Sequence, residues 1–349
     1  MRRPIKRVLL IPHEDSGTFF GGHVTQFRAT LRALQEAGVD ARAGTGVEAL
    51  SGDVDVVHVF GDVRQVLRHG RPDALVAVTP IYFPLALLDG ADWNRPGYAY
   101  KAYKRGRHAA SWLRAPRRRY YRRRALAERA RALCDADLLL ASSANEAAQL
   151  RRDIAHAPAI AVVRNCVDES MFSGDPARGR ELLGLDDEPF VLSVARVERN
   201  KNPLALALAL APLDLPLVLV GAGGRRQEYY EESVKRAARR LLRVEHIEHD
   251  ELRHVYAAAA VHALPSFFET TGLATLEALA AGTPVVVTDA PAQREYFGDC
   301  AQFCRPFSVR SVRHALLRAL EGPSGRELEV ARSFSSQRTA QELLSAYER

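Results

Sequence analysis

Short apolar runs alternate with amphipathic stretches from one end of the chain to the other. In the first half, apolar runs predict strands at residues 8–11, 54–60, 74–79, 138–141 and 160–163. A helix is predicted over residues 24–37 and ends at Gly38, because apolar residues recur there with helical spacing. Uninterrupted apolar strands of this length are typical of parallel sheets that are covered on both faces.

The same alternation starts again in the second half. Strands are predicted at residues 190–195, 217–220, 261–264 and 284–288, with helices opening at Pro203 and around 275–281. Between the two series, residues 165–187 are rich in turn formers and charges. We therefore predict an α/β protein of two doubly wound domains that face each other across a cleft, with ligands beyond the carboxyl ends of the strands.

The composition is that of a globular protein that is long enough for two domains, each with its own hydrophobic core. The chain has 349 residues, of which 47% are hydrophobic and 26% charged, which excludes collagen-like, low-complexity and disulfide-scaffold proteins. The four cysteines lack metal-ligand or disulfide-framework spacing, so we expect buried free thiols in a reducing compartment. The apolar run at 8–12 is too short for a signal peptide, and prolines interrupt the run at 203–220. These features predict a cytoplasmic protein.

Two carboxylates stand eight residues apart in the stretch 265–286. Glu269 lies in a loop after a predicted strand, and Glu277 lies within the next helix. That helix begins after Gly272 and offers free backbone N–H groups and a positive dipole end to an anion. Carboxylates beside such an anion site suit the hydroxyl groups of a ribose or a sugar.

Two cations stand five residues apart after another predicted strand. Arg196 supplies a planar fork and Lys201 a point charge, a combination that can hold a diphosphate between them.

These two motifs together resemble a known family. Glu269-x7-Glu277, followed by Ala-x-x-x-Gly-x-Pro-Val-Val, resembles the signature of retaining GT-B glycosyltransferases of the family 4 type, the glycosyl transferases group 1. The segment with Arg196 and Lys201 resembles the family's Gly-Arg-Leu…Lys-Asn, with Ala195 in place of the usual glycine. The resemblance implies a GT-B fold and the transfer of a sugar from a nucleotide diphosphate donor with retention of configuration.

Four shorter matches extend the resemblance over most of the chain. They are Asn165–Asp168, the Gly221 segment at 220–223, the Gly21-Gly22 loop, and the loop at 294–299 that contains Glu295. The resemblance implies an acceptor-side domain at 1–168, a nucleotide-sugar domain at 169–332, and a helix at 333–349 that crosses back onto the first domain. It implies catalytic roles for Arg196, Lys201 and Glu269, and donor contacts from Glu277, Thr270, Thr271, Gly272, Leu273, Gly221 and Gly22. No cofactor is expected, and no metal is needed beside the two cations.

One family feature is missing. Many members carry a His-Asp pair at the end of a strand in the first domain, where the histidine touches the sugar. Here the corresponding strand ends Val78-Thr79-Pro80-Ile81, without a histidine. His58 lies inside an earlier strand and His23 follows the Gly21-Gly22 loop, so neither takes over that role by position.

The basic excess of the chain is concentrated in one segment. Residues 101–131 carry a net charge of +12 against +7 for the whole protein, with four aromatic residues interleaved and two more, Tyr98 and Tyr100, just before them. Such a segment can be a solvated surface or can bind an anionic membrane, a nucleic acid or an anionic polysaccharide. We favour a membrane surface or an anionic, lipid-linked acceptor over nucleic acid. The residues chosen for this role are Arg117, Arg118, Arg119, Arg122 and Arg123.

The function predicted from the sequence is that of a hexosyltransferase in cell-surface glycan or glycolipid synthesis, cytoplasmic and peripheral at the inner face of the membrane. Two other functions stay open. A nucleotide-sugar epimerase or phosphorylase would share the diphosphate site. A binding protein for membranes or anionic polymers would keep the scaffold without the chemistry.

Overall fold

The computed structural model describes residues 5–13, 22–50, 52–81, 124, 127–224 and 228–348. The chain divides into two compact units, Met1–Arg164 with Thr339–Arg349, and Asn165–Arg338. The sequence placed the boundaries at 168 and 332 instead. Asn165 belongs to the second unit because its backbone N–H donates to the Tyr296 hydroxyl (3.1 Å). Phe334 belongs there as well, since its ring stacks on Tyr296 at 4.8 Å.

The first unit contains a parallel sheet of six described strands. They are β1 (Arg7–Ile11), β2 (Asp40–Ala43), β3 (Val56–Phe60), β4 (Leu75–Thr79), β5 (Leu138–Ala141) and β6 (Ala159–Val162). Their order is β2-β1-β3-β4-β5-β6, so the direction of winding reverses between β1 and β3. Apolar cores cover both faces of this sheet, as expected for strands without polar alternation.

The second unit contains another parallel sheet of six described strands. They are β7 (Val191–Val194), β8 (Leu217–Val220), β9 (Leu241–Val244), β10 (Val261–Leu264), β11 (Val285–Thr288) and β12 (Ala301–Cys304). The order β12-β11-β10-β7-β8-β9 is that of dinucleotide-binding sheets. Winding reverses between β7 and β10, and ligands of such sheets bind at the carboxyl ends of the strands at this reversal.

Helices flank both sheets. The first unit has α1 (Gly22–Glu36), α2 (Arg64–Leu67), helical residues 127–133, and α3 (Ala144–Asp153). The second has α4 (Pro176–Leu183), α5 (Pro203–Leu210), α6 (Glu228–Ala237), α7 (His249–Ala258), α8 (Leu273–Ala280), α9 (Pro291–Phe297), α10 (Val309–Leu320) and α11 (Glu327–Arg332), and α12 (Ser336–Tyr347) ends the described chain. Three of these helices begin with proline, whose fixed φ suits the first helical position.

The last helix, α12, packs on the sheet of the first unit. Glu342 accepts hydrogen bonds from the backbone N–H (2.9 Å) and the guanidinium (2.5 Å) of Arg164. Near the end of α12, the Tyr347 hydroxyl lies 2.8 Å from His58 Nδ1, and the other ring nitrogen of His58 lies 2.8 Å from Thr79 Oγ1. Complete burial lowers the pKa of His58 to about 3, so this ring is neutral and structural.

Three of the four free cysteines, Cys166, Cys300 and Cys304, are buried as the sequence predicts. Cys134 is exposed instead, in the turn that follows the helical residues 127–133. No helix in the described part of the chain is long and apolar enough to span a bilayer.

Candidate functional site

Two loops meet at the carboxyl edge of the second sheet, where its winding reverses. One loop follows β7 and carries Lys201, and the other follows β10 and carries Glu269. Lys201 Nζ donates to Glu269 Oε1 at 2.6 Å, and the side chains are 21% and 12% exposed. The structure therefore brings together two of the three residues that the sequence marked as catalytic.

Two asparagines tie these loops to each other. Asn200 Nδ2 donates to the Phe268 backbone carbonyl (3.0 Å), and the backbone carbonyl of Asn200 accepts from the Phe267 N–H (2.8 Å). Asn202 Nδ2 donates to the carbonyls of Pro265 (3.1 Å) and Pro306 (2.9 Å). Asn202 is buried and left-handed (φ 57°), a conformation that asparagine tolerates better than most residues. The loops are thus held rigidly before any ligand arrives.

The sequence analysis assigned no role to either asparagine, although Asn202 stands in the Lys-Asn match. The available signal was an asparagine directly before the proline that opens a helix, which predicts a helix start but not bonds across to another loop.

The Glu269 carboxylate uses its two oxygens differently. Oε1 accepts from Lys201 and from the hydroxyl of buried Ser266 (2.8 Å). Oε2 has no hydrogen-bond partner among the residues that the structure describes. One oxygen therefore fixes the side chain, and the other remains available to a ligand hydroxyl.

Arg196, the third predicted catalytic residue, is placed less closely. It is exposed, and its ion pair among the described residues is with Glu198 at 3.4 Å rather than with Lys201 or Glu269. Its loop is approached by Gly221, which has φ +134° and would place a Cβ 2.5 Å from the Ala195 carbonyl oxygen. Only glycine permits this close approach of two backbones.

The remaining predicted donor contacts form the turn into α8. Gly272 caps this helix with φ +80°, and Thr270 and Leu273 beside it are half-buried. Thr271 is buried, and its hydroxyl accepts from Asn165 Nδ2 at 2.9 Å. Thr271 therefore anchors the turn to the start of the second unit.

Glu277 lies one turn further along α8 and is only 7% exposed. The Tyr256 hydroxyl donates to Glu277 Oε2 at 2.8 Å. Burial raises the pKa of Glu277, and the charge of Asp168 adds to this rise, whereas His249 and the bond from Tyr256 oppose it. Sequence reasoning identified Glu277 but not Tyr256.

The corresponding edge of the first sheet has different residues. Gly61 follows β3 with φ +92°, and a Cβ there would lie 2.3 Å from the His13 ring. His13 follows β1, and its ring centroid lies 5.4 Å from that of His23 in α1. Gly22 is the exposed first residue of α1, and Gly21 lies outside the described residues.

At the end of β4, the place of the family histidine is taken by other residues. The Thr79 hydroxyl is hydrogen-bonded to His58, and Ile81 has a positive φ of 47°. A β-branched residue rarely adopts this conformation, so the backbone is strained there. Arg129 fixes the preceding turn by donating to the Pro80 carbonyl at 2.6 Å.

Most of the basic segment is not described. Arg117, Arg118, Arg119, Arg122 and Arg123 lie outside the described residues. Of the described cations, Arg124 pairs with Glu128 at 2.9 Å. Glu295 is exposed on α9.

A comparison with protein families identifies the region that holds this site. Residues 179–337 match the family described as Glycosyl transferases group 1. This region is similar to a group 1 glycosyltransferase domain. It contains Arg196, Lys201, Glu269 and Glu277, and the family resemblance read from the sequence is confirmed.

Curated relatives are similar to parts of the chain. The O-antigen chain mannosyltransferase B of Escherichia coli is 31% identical over 122 residues, which are 34% of this chain and 32% of that protein. The D-inositol 3-phosphate glycosyltransferase of Kribbella flavida is 30% identical over 239 residues, 61% of this chain and 56% of that protein. The chain thus spans between a third and somewhat more than half of these relatives.

Solved structures match nearly the whole chain. The sucrose-phosphate synthase of Thermosynechococcus elongatus aligns with a TM-score of 0.75 at 21% identity, covering 98% of both chains. Anabaena HepE, solved with UDP and glucose, aligns with a TM-score of 0.68 at 14% identity, covering 97% of this chain and 98% of that one. These alignments and the two parallel sheets confirm the predicted GT-B fold.

Proposed function

We propose that the protein transfers a sugar from a nucleoside diphosphate sugar to an acceptor hydroxyl. The observation that carries this proposal is the Lys201–Glu269 pair at the reversal of the second sheet. It places a cation and an available carboxylate oxygen side by side, inside the region that matches the group 1 family. The names of the relatives, a mannosyltransferase and an inositol phosphate glycosyltransferase, support the same reaction class.

Lys201 and Arg196 would stabilise the leaving diphosphate. Negative charge grows on the phosphate next to the sugar as the glycosidic bond breaks, and cations held in advance lower the energy of that state. At an effective dielectric constant of 20, a cation 4 Å from a unit of new charge contributes about 4 kcal/mol. That corresponds to about 10³-fold in rate. With two cations in this role, the reaction needs no metal ion.

The two glutamates would bind different parts of the donor. Glu269 would accept a sugar hydroxyl on Oε2, near the reacting carbon, while Lys201 and Ser266 hold Oε1. Glu277 would accept a ribose hydroxyl, and Gly272 would present backbone N–H groups of α8 to the diphosphate. We further propose that configuration is retained, in line with the family resemblance.

For the acceptor, we propose an anionic or lipid-linked glycan at a membrane surface. The charge of residues 101–131 and the interleaved aromatic residues support this choice, because such segments favour anionic lipid headgroups. Sugar transfer would then take place at the inner face of the membrane, in the synthesis of a surface polysaccharide or glycolipid.

The test is nucleotide release from UDP-, GDP-, ADP- and TDP-sugars. We expect release from one of these donors by the wild type and its loss in Arg196→Ala and Glu277→Ala. Lys235→Ala, which removes an exposed cation on α6, is the control and should release nucleotide normally. Absence of release, together with no protection by any donor against thermal unfolding, would refute the proposal. Release with free sugar as the product would indicate hydrolysis of the donor. Conversion of the donor into an epimeric nucleotide sugar without net release would indicate an epimerase, and formation of a sugar phosphate from a glycoside and phosphate would indicate a phosphorylase.

A further inference from the structure

Tyr256 provides the one hydrogen bond that the described residues give to the Glu277 carboxylate. Its side chain is completely buried on α7, and its hydroxyl donates to Glu277 Oε2 at 2.8 Å across to α8. A buried hydroxyl without this partner would cost about 1–3 kcal/mol. The contact is therefore fixed from both ends.

The tyrosine itself is held in place by its surroundings. Thr283 Oγ1 donates to the Tyr256 backbone carbonyl at 2.6 Å. The edge of the ring meets His262, with centroids 5.6 Å apart and planes at 74°. Tyr256 also belongs to the apolar core of the second unit. These contacts fix the position of the tyrosine ring, and its hydroxyl is directed towards Glu277.

The charges around Glu277 make this bond matter. Burial and the nearby Asp168 both favour a protonated Glu277, whereas Tyr256 and His249 favour the ionised form. A hydrogen bond donated to a carboxylate stabilises its charged state. The bond from Tyr256 thus lowers the pKa of a carboxyl group whose burial raises it.

We propose that Tyr256 is a positioning residue that sets the preference of this site for ribonucleotides over deoxyribonucleotides. By occupying Oε2, it leaves Oε1 as the acceptor for one ribose hydroxyl of the donor. The inference rests on the proposed function, in which Glu277 binds that ribose. A site built to hydrogen-bond a hydroxyl rejects analogues that lack it, because its own polar group is then left unpaired.

The test uses binding of nucleoside diphosphates by calorimetry. The affinities of UDP, GDP, ADP and CDP for the whole wild-type protein are measured first. The nucleotide that binds most tightly is then compared with its 2′-deoxy and 3′-deoxy forms. The wild type should prefer the ribose form to one of the deoxy forms by about tenfold or more, the effect of one such hydrogen bond. In Tyr256→Phe this ratio should fall towards one, through weaker binding of the ribose form alone.

Two variants separate positioning from a merely structural role. Glu277→Gln combined with Tyr256→Phe should lose no more preference than Glu277→Gln alone, because both changes remove one interaction. Thr283→Val removes a buried hydrogen bond to the backbone of the same tyrosine but leaves its hydroxyl on Glu277, so it should lower the ratio by less than Tyr256→Phe does. The ribose preference that remains in Tyr256→Phe should be lost, as the pH falls, at a higher pH than in the wild type, since the pKa of Glu277 rises further.

Each result decides a different claim. An unchanged ratio in Tyr256→Phe, or an equal fall in Thr283→Val, overturns the role of Tyr256 and leaves the proposed function intact. A wild type that binds nucleotides without any ribose preference overturns the role of Glu277 and, with it, that of Tyr256. A wild type that binds no nucleoside diphosphate at all overturns both the inference and the proposed function.

Discussion

The two sheets reverse their winding at different strands, and the side chains at the two reversals differ in kind. Between β7 and β10, the second unit holds an ion pair, Lys201 with Glu269, on loops joined by asparagine side chains. Between β1 and β3, the first unit holds the imidazole of His13 against Gly61. The reversal in the second sheet carries charged side chains on loops fixed by hydrogen bonds, and the reversal in the first sheet carries an imidazole ring packed over a glycine.

The difference shows how one architecture can serve two kinds of ligand. A diphosphate carries charge that grows during the reaction, so a site for it gains from cations that are already in place. The acceptor hydroxyl itself is neutral, so the groups that orient it need shape and single hydrogen bonds rather than cations placed in advance. The sheet topology supplies the location in both units, and the side chains decide the chemistry.

The substitution with the largest expected effect tests whether the reaction takes place at the reversal in the second sheet. Lys201→Ala should slow sugar transfer by about 10²–10³-fold, the usual cost of removing one preorganised charge-stabilising group. Lys201→Arg should recover only part of this, because a planar fork does not replace a point charge. The measurement is kcat with the preferred donor, with Lys235→Ala as the unaffected control. A loss smaller than about threefold would mean that the second reversal is not the reacting site.

Glycine substitutions test how rigid each reversal is. Gly221→Ala should lower the free energy of unfolding by about 3 kcal/mol, because the new Cβ meets the Ala195 backbone oxygen at 2.5 Å. Gly61→Ala meets a His13 ring that can turn away, so we expect about 1–2 kcal/mol. Gly184→Ala, with φ +61° and open space, should show the backbone strain alone. Urea denaturation gives all three values, and equal losses at Gly61 and Gly221 would contradict this ranking.

Among the described residues, each unit has one fully buried histidine, His58 in the first and His262 in the second. Burial lowers the pKa of both to about 3, below the unfolded value of about 6.5. Each therefore contributes stability that is present above about pH 6.5 and is lost as the pH falls towards 3. Between pH 6.5 and 5 the expected loss is about 2 kcal/mol for each histidine.

His58→Gln and His262→Gln should each flatten this acid dependence, measured as the urea midpoint against pH. His58→Gln should also cost more at neutral pH, because its ring has hydrogen-bonding partners in Thr79 and Tyr347. In contrast, His262 Nδ1 has no hydrogen-bond partner in the described part of the chain. An acid dependence that neither variant changes would show that other groups control it.

The smallest effect sharpens the description of the second reversal. Glu269→Gln should slow transfer and yet bind nucleoside diphosphate more tightly, by about fivefold, because Lys201 is no longer neutralised by its partner. Calorimetry with the product nucleotide measures the gain. Glu228→Gln, which removes an exposed acid from the same unit, serves as the control. Weaker nucleotide binding in Glu269→Gln would show that this carboxylate does not compete with the diphosphate.

The central strands were predictable from the sequence, and three of the four edge strands were not; the edge strand β6 (Ala159–Val162) was predicted at 160–163 because its residues are all apolar. The predictions at 138–141, 217–220 and 261–264 match β5, β8 and β10 residue for residue. The strands β2, β9 and β12 were missed, and each lies at an edge of its sheet. Edge strands are covered on fewer sides, so the residues of these three are polar or half-buried and carry no continuous apolar signal.

The candidate site divides in the same way. The amino-acid sequence determined which charged residues follow which strands, because Lys201, Glu269 and Glu277 stand at fixed offsets from apolar runs that can be read directly. Only the tertiary structure decided which groups hold them. Ser266 bonds to Glu269 within one loop, whereas Asn200, Asn202 and Tyr256 act through hydrogen bonds between residues 21 to 104 positions apart. Hydrogen-bond partners across such separations are set by the packing of strands and helices, and local sequence patterns carry no record of them.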